Sequence, residues 1–207
     1  MRFQWPAAQA ETPIVELVSQ HFAAGERNRM VALFERQVVD VQEALGASVL
    51  GSFTVKEHPD RFIWLRGFSD MAARRAALGR PNTGACWPLR VDPLNAKPAP
   101  EDEVHLLRAV TPEHGVAGLR RLPRTGETID SQPYTMVISE VRYQEWIGSF
   151  HLWSRLFLRK AGADPLACFA TLEQFNDLPD VPVSRDRTMH VALIAGDVPL
   201  PPLPSEL

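Results

Sequence analysis

The chain has 207 residues, 45% of them hydrophobic, with 22 basic and 25 acidic side chains for a net charge of −3. That is enough apolar material for one sizeable core or two small ones. The charges are interspersed, which excludes the concentrated basic face that a nucleic-acid partner requires.

No apolar run approaches the ~20 residues of a membrane-spanning helix. The one basic run, RRLPR at 120–124, reads as a solvated loop. The start, MRFQWPAAQAETP, lacks the continuous apolar core of a secretory signal. Cys86 and Cys168 lie far apart without metal-ligand spacing, so both read as free thiols and the protein is expected in the cytoplasm.

Taken in order, IVELVSQHF at 14–22 predicts a strand. From Gly25 to Leu45, Met30, Leu33, Phe34, Val38, Val41 and Leu45 fall at helical spacing, with Gly46 placed to end the helix. A second strand is expected over 48–56, a turn at EHPD and a third strand over 61–68. Ser69 is expected to cap a short helix, Asp70–Leu78. Five prolines make 79–100 mostly loop, and 103–110 predicts a fourth strand. The result is β-α-β-β-α-β, the split βαβ arrangement of ferredoxin-like folds.

After a linker over 111–133, the pattern returns. Residues 134–142 predict a strand, and Glu145–Lys160 a helix with Trp146, Phe150, Trp153 and Phe157 on one stripe. Gly46, Ala47, Leu50 and Phe53 are echoed by Gly162, Ala163, Leu166 and Phe169, each pair 116 residues apart. Four matches at one helix-to-strand junction mark an internal repeat. MHVALIA at 189–195 supplies its third strand, and GDVPLPPLPSEL comes after it, with four prolines that forbid a helix or central strand.

The fold class is therefore α+β. It has one ferredoxin-like repeat over 12–110, a truncated one over 134–196 and a Pro-rich tail over 197–207. The second sheet should have an edge that the linker or a homodimer contact covers.

The run ALFERQVVDVQEALGASVLGSF, followed by DRFIWLRGFSDMAARRAAL, resembles the bacterial NIPSNAP family, and GADPLACFATLEQFNDLPDVPV resembles that family's second repeat. The resemblance spans roughly residues 14–195. It implies a dimeric α/β-barrel arrangement within one chain, two ferredoxin-like sheets face to face. Three departures stand out: VELVSQHF replaces a family strand that reads like VELRQYTL, GRPNTGACW follows Leu78 where an aromatic helix end is usual, and the last helix is missing.

Strand alternation puts Phe62, Trp64, Arg66 and Phe68 on one face and Ile63 and Leu65 on the other. Small aliphatic residues suit packing against helices, so Trp64 and Arg66 are expected in the barrel interior, with Glu16 near Arg66. Two readings stand: a structural ion pair under an aromatic lid, or a cavity with one cationic donor for an apolar ligand carrying a carboxylate or carbonyl.

His105 alternates with Leu107 and is either a satisfied structural histidine or a general base facing the cavity. His21, His58, His114, His151 and His190 complete the histidines, and none shows HxxxH, HxH or HExxH spacing. No metal or cofactor is expected. The candidate ligand-binding residues are Glu16, Trp64, Arg66 and His105. The function expected is binding of a small apolar or aromatic ligand or a protein partner; the alternative is a cofactor-independent oxygenase or cyclase acting on an aromatic or polyketide-like substrate.

Overall fold

A computed structural model describes residues 13–79, 102–110, 133–141, 162, 165–179, 181, 183–185 and 187–199. The expected helix Glu145–Lys160, the linker through residue 132 and the tail from residue 200 lie outside them. So does Cys86.

Among the described residues seven strands form: β1 (Ile14–His21), β2 (Ser48–Thr54), β3 (Arg61–Phe68), β4 (Glu103–Ala109), β5 (Tyr134–Val141), β6 (Pro165–Thr171) and β7 (Thr188–Ala195). They make one antiparallel sheet in the order β2-β3-β1-β4-β6-β7-β5. The α+β class holds, but the expected two face-to-face sheets are a single continuous one. The junction is β4, whose Leu107, Arg108 and Ala109 pair with Thr171, Ala170 and Phe169. Left unpaired, the outer edge of β4 would expose a row of backbone donors and acceptors, and β6 satisfies them.

The sheet curls. Its outer strands, β2 and β5, come round until the rings of Phe53 and Tyr134 stand 5.8 Å apart, edge to face. The concave interior is filled by alternate side chains from all seven strands, among them Leu17, Leu65, Leu107, Phe169, Val191 and Met136.

On the convex side lie α1 (Arg27–Leu33), a π-helical turn (Phe34–Val38), α2 (Val39–Ala44) and α3 (Met71–Leu78). The first three run as one rod. The extra residue in the π turn rotates α2 relative to α1. Val39 and Gln42 are therefore buried against the sheet, while Val41, expected on the apolar stripe, is exposed. The cap of α3 is Asp70, whose Oδ1 accepts from the Ala73 amide at 2.6 Å; Ser69 was expected there.

Gly46 and Gly162 both take positive φ, 96° and 62°, which glycine adopts without a Cβ penalty. In each half one residue then bulges out of its strand pairing: Leu50 between Val49 and Gly51, and Leu166 between Pro165 and Ala167.

The connection from β6 to β7 crosses back over the convex side. The Leu172 amide donates to Leu106 O at 2.8 Å, Val181 is buried in the helix-side core, and Val183 bridges Val104. Among the described residues, no helix is long and apolar enough to cross a membrane.

Candidate functional site

Trp64 and Arg66 do not face the interior. They lie under the helices, and Ile63 and Leu65 line the concave side, the inverse of the expected orientation. The physical reason is partners. On the interior face the neighbours of this strand position are aliphatic, among them Leu17, Leu50 and Leu107, whereas the helix side brings Gln42 and Arg74 beside the shared Glu16. Size alone was a poor guide to the facing.

Glu16 and Arg66 are direct neighbours across the β1–β3 pair. Arg66 Nε donates to Glu16 Oε2 at 2.5 Å, and Arg74 Nε, arriving from α3, donates to Glu16 Oε1 at 2.5 Å. All three side chains are fully buried. One carboxylate thus holds two guanidinium groups, one on each oxygen.

Further contacts disperse the second positive charge. Arg66 Nη1 donates to Gln42 Oε1 at 3.2 Å, and its guanidinium sits 5.0 Å from the Trp64 ring and 5.8 Å from Phe68. Arg74 Nη1 donates to Asn176 Oδ1 at 3.1 Å and lies 3.5 Å from Asp177 Oδ1. Arg75 also pairs with Asp177, through Nε at 2.6 Å. Trp64 Nε1 donates to Gln20 Oε1 at 3.2 Å while Phe34 packs edge-on against its ring at 5.0 Å.

His105 is on the opposite face of the sheet, beside Leu17. Its Nε2 lies 3.3 Å from Glu103 Oε2. Glu103 is also 3.8 Å from Arg187, which reaches Glu140 at 3.3 Å, and Arg61 Nε donates to Ser19 Oγ at 2.9 Å. These groups rim one end of the interior. The structure therefore brings Glu16, Trp64 and Arg66 together and separates His105 from them by the thickness of the sheet.

Chemically, the Glu16 cluster is committed. Each carboxylate oxygen accepts a hydrogen bond from a buried guanidinium, and all three side chains are cut off from solvent. Among the described residues no group of three His, Cys, Asp or Glu side chains could hold a metal ion.

Two other buried groups have displaced pKa values. Burial, aided by the charge of Arg108, lowers His190 to about 4, and burial pushes the Cys168 thiol up to about 12. A thiol held so high stays protonated and is a poor nucleophile.

Sequence reasoning missed Gln20, Gln42, Arg74, Asn176 and Asp177. Gln42 was hidden by the π turn. Arg74 stands in MAARRAAL beside the exposed Arg75, and a charged pair there looked like a solvated face. No protein-family model, curated protein or solved structure matches the chain, so the resemblance to NIPSNAP proteins stands on the sequence words alone.

Proposed function

We propose that this is a NIPSNAP-like cytoplasmic protein of two ferredoxin-like repeats, the second truncated, that acts by binding a protein partner and not by catalysis. The filled interior carries the reading. A small-molecule site needs a cavity of a few hundred Å³, and here Leu17, Leu65, Leu107, Phe169 and Val191 are all buried against one another where such a cavity would lie.

The strand order supports the repeat. β2-β3-β1-β4 is the ferredoxin-like order, and β6-β7-β5 is that order without its fourth strand. Leu50 and Leu166, 116 residues apart, bulge at matching places. The curl of one sheet around a shared core supports a dimeric-α/β-barrel-type arrangement, with 12–110 and 134–196 as the two halves. In this reading Glu16, Trp64 and Arg66 are a structural cluster.

Native mass spectrometry of the purified protein tests the proposal. The expected spectrum is the bare chain, alone or as a homodimer. A small molecule retained in stoichiometric amount would overturn the reading in favour of a ligand or substrate beside His105.

A further inference from the structure

We draw no further inference here: the strongest candidate, the exposed Phe175 ring beneath the Arg185 guanidinium on the segment that connects β6 and β7, is a single surface aromatic, and nothing in the structure shows what covers it.

Discussion

Glu16→Gln is the most informative single change in this chain. It keeps the shape of the side chain and removes the one negative charge that both buried guanidinium groups share. Removing one member of a buried ion pair costs about 3–5 kcal/mol, because the remaining charge is stranded away from water. Here two cations lose their anion, and Asp177 compensates only Arg74, at 3.5 Å. The upper part of that range is expected.

Arg66→Met differs in kind. It leaves Glu16 still paired with Arg74 and forfeits the contact with the Trp64 ring and the hydrogen bond from Nη1 to Gln42. That loss is about 1–3 kcal/mol. For a chain of this size each kcal/mol moves the melting temperature by about 2–4 °C. Glu16→Gln should therefore lower it by about 10 °C or more, and Arg66→Met by roughly half as much or less. The double variant should cost less than the sum of the two, since each change removes part of what the other would strand. Thermal and urea melts of the three variants decide it. If Arg66→Met is as damaging as Glu16→Gln, or if the two effects add, the shared-carboxylate account is wrong.

The same geometry fixes three other outcomes. His190 titrates near 6.5 in the unfolded chain and near 4 in the fold, so the unfolded state binds the extra proton between those values. Stability present above pH 6.5 is then lost as pH falls, at up to about 1.4 kcal/mol per unit; urea melts at pH 7 and pH 5 should show a loss that His190→Gln reduces, and equal slopes for the two proteins would contradict it. Cys168 should resist a thiol reagent at pH 8 in a folded Cys86→Ser background and react fully only in denaturant; prompt reaction would disprove its burial. Asp70→Ala should remove the cap of α3 at a cost of about 1 kcal/mol, read as a small drop in urea midpoint, while Ser69→Ala should leave the midpoint unchanged.

The strands were legible because their alternation and their flanking turn residues agree, and because Gly46 and Gly162 punctuate both halves alike. Their facing was not. Alternation sorts Trp64 and Arg66 from Ile63 and Leu65 but does not say which set meets the helices; that depends on Gln42 and Arg74, which come from distant segments. Periodicity assumed 3.6 residues per turn through Phe34–Val38, and the π turn broke that assumption, moving Val41 out and Gln42 in. The continuous sheet depended on a pairing between β4 and β6 with no local signature.

The two halves differ most at the residues that first drew attention. Aligned on their bulges, Arg66 corresponds to Ile194 and Glu16 to Thr135, since Arg66 pairs with Val49 and Glu16, and Ile194 with Pro165 and Thr135. In the two-repeat reading proposed above, the second repeat stands without this ion pair, so that reading does not require one. Replacing such pairs with apolar residues is often neutral, and their retention in the first half calls for a separate reason. The structure supplies one in the connection from β6 to β7. That segment crosses from one half onto the other, and it is caught there by Arg74 through Asn176 and Asp177. Arg74 reaches them while Glu16 holds its Nε, and Glu16 is in turn bonded to Arg66 over the Trp64 ring. The apolar contacts of Val181 would tolerate sliding. A guanidinium held at two points does not, and it sets the position of the crossing segment.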